Sequence, residues 1–140
     1  MSAANTKLAL DSLIDTDVWV DFLRGHAPAI AFIKALPDRV FISAVSVAEL
    51  HVGVVGVREG AEQQALDKLL STLDVLDVNV AVATSGGLLR RDFGRSHGVG
   101  LNDALIAATA EEYDLQLYTL NIKNYPSLAK AQLKRAYIKT

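Results

Sequence analysis

Short apolar segments alternate with longer stretches in which apolar residues recur three or four positions apart. The longer stretches are predicted to be amphipathic helices, because this spacing places apolar side chains on one helix face. The short segments, rich in Val, Ile, Leu and Phe, are predicted to be buried strands. Strands that alternate with helices are typical of a parallel sheet flanked by helices, so an α/β protein is predicted. The predicted strands are residues 12–14, 40–42, 73–78 and 117–119, with an edge strand at 136–138.

Polar residues and prolines at the segment boundaries predict where the helices begin. Asn79 and Asn102 are predicted N-caps, and Ser46 with Glu49 three residues later has the spacing of a capping box. Pro28 suits the first residues of the second helix. The predicted helices are residues 17–24, 28–36, 46–57, 59–70, 80–95 and 101–113, followed by a short helix from residue 126.

Length and composition limit the class of protein. The chain has 140 residues, 51% of them hydrophobic, so residues 12–140 are predicted to form a single domain after a disordered lead at 1–11. The absence of cysteine excludes disulfides and thiolate metal sites and agrees with the reducing cytoplasm, the expected location. No apolar run approaches the ~18 residues of a membrane span, and no membrane partner is expected. Because the net charge is −2, the chain as a whole does not attract a polyanion such as a nucleic acid. Local cations or a metal would have to bind one.

Three acidic residues stand where a predicted strand ends or a predicted helix begins: Asp15, Glu49 and Asp103. Each has an ordinary explanation, as an N-cap, a capping-box residue or a first-turn acid near the helix dipole. In a parallel sheet, however, these positions share the edge formed by the carboxyl ends of the strands. Three carboxylates there repel one another unless a cation neutralises them, and oxygen ligands suit Mg²⁺ or Mn²⁺. Such a cation activates water against a phosphate, as in metal-dependent nucleases.

Four segments, three of which contain these acids, resemble motifs of the PIN-domain ribonucleases and in particular of the VapC-type toxins. They are residues 13–18 (LIDTDV), 42–50 (ISAVSVAEL), 102–110 (NDALIAATA) and 117–125 (LYTLNIKNY), in the order of the family. The resemblance implies a three-layer α/β/α fold with a central parallel sheet of four to five short strands. It also implies that Asp15, Glu49 and Asp103 are the catalytic residues and the ligands of Mg²⁺, for which Mn²⁺ can substitute.

By the same resemblance, the chain is expected to be an endoribonuclease that hydrolyses RNA phosphodiester bonds. It is further expected to be the toxin of a toxin–antitoxin pair, with a cognate antitoxin as partner, and to form a homodimer. Thr16 and Asn121 are expected to support the acidic residues. Many family members have a fourth acid at the position of Asn121, so a second metal ion is less expected here than the first.

Two other classes of function remain open. A non-catalytic binding module with a degenerate acidic site agrees with Asn121, and metal-dependent cleavage of RNA would separate it from the enzyme. A response-regulator-like phosphoacceptor also gathers acids at strand ends, but it requires two adjacent acids after the first strand and a lysine after the last. Here Thr16 separates Asp15 from Asp17, and Lys123 lies in a different loop context.

The remaining charged residues carry weaker signals. Arg91 and Arg95 on the fifth predicted helix, and Lys123 in the closing loop, are candidates for contacts with RNA phosphates. Their ordinary role would be that of a solvated surface, where charge costs little. Asp21 is expected to be solvated on a helix surface. His51 is expected to point to a different helix face from Glu49, and therefore not to share a ligand with it.

Overall fold

A five-stranded parallel sheet forms the centre of the molecule. The structure is a computed structural model that describes residues 10–37 and 39–139. The strand order is β3-β2-β1-β4-β5, and every neighbouring pair is parallel, which confirms the predicted α/β class. The strands are β1 (Ser12–Ile14), β2 (Val40–Ser43), β3 (Asp74–Leu76), β4 (Gln116–Thr119) and β5 (Leu133–Arg135).

Helices cover both faces of the sheet. Successive residues of β1 point to opposite faces, so Leu13 packs in one core with Ile106, and Ile14 packs in the other with Trp19. This arrangement confirms the expected three layers. The α-helices of the described residues are α1 (Thr16–Leu23), α2 (Ala27–Ala35), α3 (Ala44–Val52), α4 (Ala61–Leu70), α5 (Val80–His97) and α6 (Leu101–Glu112).

Helices α5 and α6 approach each other closely at one glycine. A Cβ atom built on Gly86 of α5 would lie 2.6 Å from Cδ2 and 3.1 Å from Cα of Leu105 in α6. At the neighbouring Gly87, which faces outward, a Cβ atom would meet no atom within 4 Å. The contact at Gly86 fixes the position of α6, the helix that carries Asp103.

The predicted N-terminal caps of helices α3 and α6 are wrong. Helix α3 begins at Ala44, because β2 runs as far as Ser43 and the Ser43 hydroxyl accepts a hydrogen bond from the backbone N–H of Val45 (3.0 Å). The capping box of Ser46 and Glu49 is therefore wrong. Helix α6 begins at Leu101 with Gly100 as its N-cap residue, so Asn102 lies inside the helix and does not cap it. Asn79 does cap α5, accepting from Val82 N–H (2.9 Å).

The end of the chain also differs. The edge strand lies at Leu133–Arg135, three residues before its predicted place, and the chain then bends away at Ala136. Pro126 begins a turn rather than a helix, and the only helical turns near it in the described chain are the 3₁₀ segments Ile122–Asn124 and Lys130–Gln132. Lys134 and Arg135 are exposed, as is common on an edge strand, where charge discourages pairing with another sheet.

The expected disordered lead, residues 1–11, falls mostly outside the described residues. At its end, the carbonyl of Asp11 accepts a hydrogen bond from the backbone N–H of Gln116 (2.9 Å). Across the two described stretches, the structure contains no helix that is both long enough and apolar enough to span a membrane.

Candidate active site

The three predicted acids lie at one edge of the sheet. Asp15 directly follows β1, the central strand, Glu49 is in α3 after the neighbouring β2, and Asp103 is in the first turn of α6. A chain of hydrogen bonds links them. The Tyr125 hydroxyl contacts Asp15 and Asp103, and Glu49 contacts the residue that follows Asp15, Thr16, and the residue that precedes Asp103.

Asp15 is buried and accepts three hydrogen bonds. Its Oδ1 accepts from the backbone N–H of Thr16 (2.7 Å), and its Oδ2 accepts from Thr119 Oγ1 (2.8 Å) and from the Tyr125 hydroxyl (2.6 Å). Asp15 is thus the N-cap residue of α1, as one interpretation of the sequence had it. Burial raises the pKa of the Asp15 carboxyl despite these donors, and the charge of Glu49 acts in the same direction.

Asp103 is half-buried and has fewer partners. Its Oδ1 lies 3.3 Å from the Tyr125 hydroxyl. Burial, followed by repulsion from Asp15 and Glu49, raises the pKa of Asp103 to about 6. Ionisation of the Asp103 carboxyl is therefore unfavourable in the folded protein, and a cation beside it would offset the free-energy cost of ionisation.

Glu49 is oriented by two neutral donors. Thr16 Oγ1 lies 2.6 Å from Glu49 Oε1 and 2.7 Å from Ser46 Oγ; because a carboxylate only accepts, the Thr16 proton is donated to Glu49. Asn102 Nδ2 donates to Oε2 of Glu49 (3.2 Å). The side chain of Glu49 therefore faces Asp15 and Asp103 and not the start of its own helix.

Asp17 is a fourth acid at this edge that the sequence interpretation did not assign to the site. Its Oδ2 accepts from the backbone N–H of Leu120 (3.1 Å), while its Oδ1 is buried and has no hydrogen-bond partner. Burial, with repulsion from Asp15, raises the pKa of Asp17 to about 7. The signal in the sequence was its place in the first turn of the helix that follows β1. Thr119 and Tyr125 were also missed, although Thr119 ends β4 and Tyr125 follows it at the same edge.

Asp21, by contrast, was expected to be solvated, and that expectation is wrong. The residue is 4% exposed and accepts hydrogen bonds from the Tyr137 hydroxyl (2.7 Å) and from Lys139 Nζ (2.8 Å). Burial acts to raise the pKa of Asp21, but the bonds from Lys139 and Tyr137 hold it below its usual value. Asp21 therefore joins the end of the chain to α1 and is not part of the site.

Asn121 and the three basic candidates lie on exposed surface, whereas Thr16 is partly buried against Glu49. Asn121 follows β4, and its backbone N–H donates to Thr119 Oγ1 (3.0 Å). Lys123 lies in the 3₁₀ turn after it, and Arg95 is exposed on α5. Arg91, also exposed, pairs with its neighbour Asp92 (3.2 Å). RNA binding by Arg91, Arg95 and Lys123 remains a prediction, as does support of the acids by Asn121.

The histidine beside Glu49 points elsewhere. His51 is exposed, and its Nδ1 lies 3.1 Å from Nε2 of Gln63 in α4. This contact is on the side of α3 that faces α4.

The donor set fits a hard divalent cation. The available ligand groups are carboxylate oxygens, which Mg²⁺ and similar ions prefer. The carboxylates repel one another, and a positive charge between them would offset that repulsion. In addition, Oδ1 of Asp17 is buried and has no hydrogen-bond donor. Among residues 10–37 and 39–139, no three His, Asp or Glu side chains are grouped closely enough to hold a metal ion as they stand. Binding a cation would therefore require the carboxylates to adjust. In chemistry and charge, Mg²⁺ and Mn²⁺ suit these residues.

Comparison with known proteins gives one consistent family. The PIN domain family model matches residues 12–126. Ribonuclease VapC10 of Mycobacterium tuberculosis is 39% identical over 117 residues, which cover 81% of this chain and 85% of that protein. Ribonuclease VapC19 of the same organism is 35% identical over 122 residues, or 86% of this chain and 96% of that protein.

Solved structures agree with the sequence relatives. A toxin–antitoxin complex from Klebsiella pneumoniae contains a chain that is 26% identical, with a TM-score of 0.77 over 92% of this chain and 100% of that one. VapBC2 from Rickettsia felis, bound to a DNA fragment from its promoter, gives 26% identity and a TM-score of 0.75 over 90% and 98% of the two chains. With four motifs, a shared fold and extended sequence identity in agreement, this chain belongs to the PIN-domain family and, within it, to the VapC ribonucleases.

Proposed function

We propose that this VapC-family endoribonuclease cleaves RNA with Mg²⁺ as its cofactor, and that Asp15, Glu49 and Asp103 are its acidic active-site residues. One observation carries the assignment of the residues: the Tyr125 hydroxyl contacts carboxylates of both Asp15 and Asp103, which come from different elements. The proposal also takes residues 12–140 to form a single PIN-like domain. Mn²⁺ would substitute, because it binds oxygen and imidazole ligands somewhat more tightly.

Each acid has a distinct task. Asp15 and Asp103 would hold the cation, and Glu49 would bind it directly or through water. A bound Mg²⁺ supplies a Lewis acid for the phosphate and lowers the pKa of water. The Glu49 carboxylate, which Thr16 and Asn102 orient, would accept a proton from the attacking water.

Binding of the substrate is assigned to the exposed cations. Arg91, Arg95 and Lys123 would contact RNA phosphates, whose charge accounts for much of the affinity of proteins for nucleic acids. Asn121, exposed where β4 ends, would contact the substrate or a water molecule beside Thr119.

The expected protein partner is a cognate antitoxin, as in the solved toxin–antitoxin complexes that share this fold. An apolar groove of about 530 Å³ between α1, α3 and α4 is suited to a helix of such a partner. Glu49 lies at the groove, so a partner seated there reaches the acidic site. Its apolar lining consists mainly of Val20, Leu23, Leu50, Val54, Ala65 and Leu66. A homodimer and a cytoplasmic location complete the proposal.

The test is cleavage of a dye-labelled single-stranded RNA by purified, antitoxin-free protein. Cleavage should require Mg²⁺ or Mn²⁺, stop with a chelator and resume when Mg²⁺ is restored. Asp103→Asn and Asp15→Asn should each abolish it, whereas Glu112→Gln, a change at an exposed acid at the end of α6, should not. Binding of RNA without cleavage under all these conditions would favour the non-catalytic module instead.

A further inference from the structure

Tyr125 is a buried tyrosine whose hydroxyl lies between two carboxylates. The residue is 1% exposed, and its hydroxyl oxygen lies 2.6 Å from Asp15 Oδ2 and 3.3 Å from Asp103 Oδ1. A phenol has an ordinary pKa of about 10 and keeps its proton at neutral pH, so the Tyr125 hydroxyl can donate a hydrogen bond to a carboxylate.

One phenol proton cannot serve both carboxylates. The shorter distance assigns it to Asp15, and donation to an ionised acceptor makes this a strong hydrogen bond. Together with Thr119 Oγ1 and the Thr16 N–H, the phenol gives the Asp15 carboxylate three donors. Asp15 is thus held in one orientation, while Asp103, at 3.3 Å, retains freedom to adjust.

The ring of Tyr125 anchors this hydroxyl to the scaffold. It packs in the same buried cluster as Leu13 of β1, Ile106 of α6 and Leu117 of β4. Of these elements, β1 directly precedes Asp15, α6 contains Asp103 and β4 ends at Thr119. A shift of the ring relative to any of them would move the hydroxyl away from a carboxylate.

We propose that Tyr125 is a positioning residue for RNA cleavage: its hydroxyl holds Asp15 in one orientation while the neighbouring Asp103 adjusts, so that both carboxylates face one cation. This inference rests on the function proposed above. The competing explanation is that Tyr125 only fills the core, and in that case phenylalanine would serve equally well.

The matched variants are Tyr125→Phe and Tyr137→Phe. Each removes one hydroxyl that donates to a buried aspartate, Tyr125 to Asp15 and Tyr137 to Asp21, but only the first lies at the site. Both variants keep the aromatic ring, and assays are run well below the lower melting temperature. Each protein is stripped of metal and titrated with Mn²⁺ while the melting temperature is followed. RNA cleavage is then measured at the Mn²⁺ concentration that half-saturates the unaltered protein.

Tyr125→Phe should raise the Mn²⁺ concentration at half-maximal stabilisation by about 10-fold to 100-fold, the usual effect of losing a residue that orients a metal ligand. Its kcat should fall by a similar factor, with the KM for RNA nearly unchanged. Tyr137→Phe should lower the melting temperature but leave the Mn²⁺ midpoint and kcat as they were.

An unchanged Mn²⁺ midpoint in Tyr125→Phe would overturn the inference, as would equal losses of cleavage in the two variants. These outcomes are distinct from failure of the proposed function. If the unaltered protein binds Mn²⁺ but cleaves no RNA, the function is wrong, and the Mn²⁺ titration still decides the role of Tyr125.

Discussion

Asn102 and Glu49 are 53 residues apart in the sequence, yet Nδ2 of Asn102 donates to Oε2 of Glu49 over 3.2 Å. The bond joins the first turn of α6 to α3, and Thr16 holds the other oxygen of the same carboxylate. Glu49 is therefore fixed by residues adjacent in sequence to Asp15 and Asp103. The position of Glu49 is thus coupled to the positions of Asp15 and Asp103.

Glu49→Gln should separate a chemical role from a structural one. Because Glu49 caps no helix and glutamine can still accept a bond from Thr16, the free energy of unfolding should change by less than about 1 kcal/mol. RNA cleavage should fall by at least about 100-fold, the lower end of what a general base contributes. Chemical denaturation and cleavage rates are measured on the same preparation, with Glu112→Gln, at the exposed end of α6, as the control. Normal cleavage by Glu49→Gln would remove Glu49 from the site.

Asp103→Asn should abolish cleavage while leaving the metal-free fold intact or more stable. Burial and repulsion raise the pKa of Asp103 to about 6, so its ionised form destabilises the native state at neutral pH. Removing that charge should stabilise the protein by about 1 kcal/mol, after allowance for solvent screening of this half-exposed group. Urea unfolding at pH 7.5 with chelator measures the gain. A marked loss of stability would show that the carboxylate is structurally required.

The metal-free protein should lose stability as the pH rises from about 4 to about 7. The pKa values of Asp17 and Asp103 are raised in the native state, to about 7 and about 6, so the folded protein binds more protons than the unfolded chain in this range. The stability that these two groups contribute is therefore fully present below the pKa that aspartate has in the unfolded chain. It is lost as the pH rises through their pKa values in the folded protein. Unfolding at several pH values in chelator tests this, and Asp17→Asn should flatten the slope. A slope of the opposite sign would contradict the burial and repulsion described here.

Divalent cations should reverse that loss. Binding to the native state alone adds about 2.7 kcal/mol at a hundredfold excess over Kd. Mn²⁺ should raise the melting temperature more than Mg²⁺ does, and the gain should shrink at mildly acidic pH because the carboxylates must be ionised to bind. Calorimetry of stripped protein gives the measurement. The Asp15→Asn, Asp103→Asn double variant should show no gain, and indifference of the unaltered protein to both ions would count against a cation site.

Two adjacent glycines of α5 should respond in opposite directions to alanine. Gly86→Ala places a methyl group against Leu105 and should cost about 1–3 kcal/mol, the usual cost of overpacking. Gly87→Ala meets nothing and should stabilise α5 by up to about 1 kcal/mol through helix propensity. Thermal unfolding of both variants suffices. Cleavage should fall only in Gly86→Ala, since that change displaces the helix that carries Asp103.

The sequence predicted the sheet, the helix order and the edge at which the acids meet, because each of these follows from local patterns. Asp15, Glu49 and Asp103 stand directly beside strand or helix ends, and the order of elements brings those ends together. Local patterns could not decide between Ser43 and Ser46 as the start of α3, since both residues favour caps and only the length of β2 distinguishes them. The prediction that Asp103 lies in the first turn of α6 is confirmed, although the N-cap residue of α6 is Gly100 and not Asn102.

Side-chain partners that are distant in sequence could not be predicted. Aspartate is usually exposed, and nothing near Asp21 indicates that Lys139 and Tyr137 cover it. Similarly, Tyr125 is 110 residues from Asp15, and only the assembled sheet shows that its hydroxyl reaches the acid.

The parallel pairing of β1 with β4 also determines when the site can form during synthesis. Strand β1 borders residues 40 and 41 on one side and residues 116 to 118 on the other, so its pairing is incomplete until residue 118 has been synthesised. Asp15 acquires its donors from Thr119 and Tyr125 only after those residues leave the ribosome. Because domains fold as their segments emerge, a nascent chain of this nuclease lacks an assembled site until residues 119 and 125 have emerged. The order of strands thus delays assembly of the site until β4 and Tyr125 are available to β1.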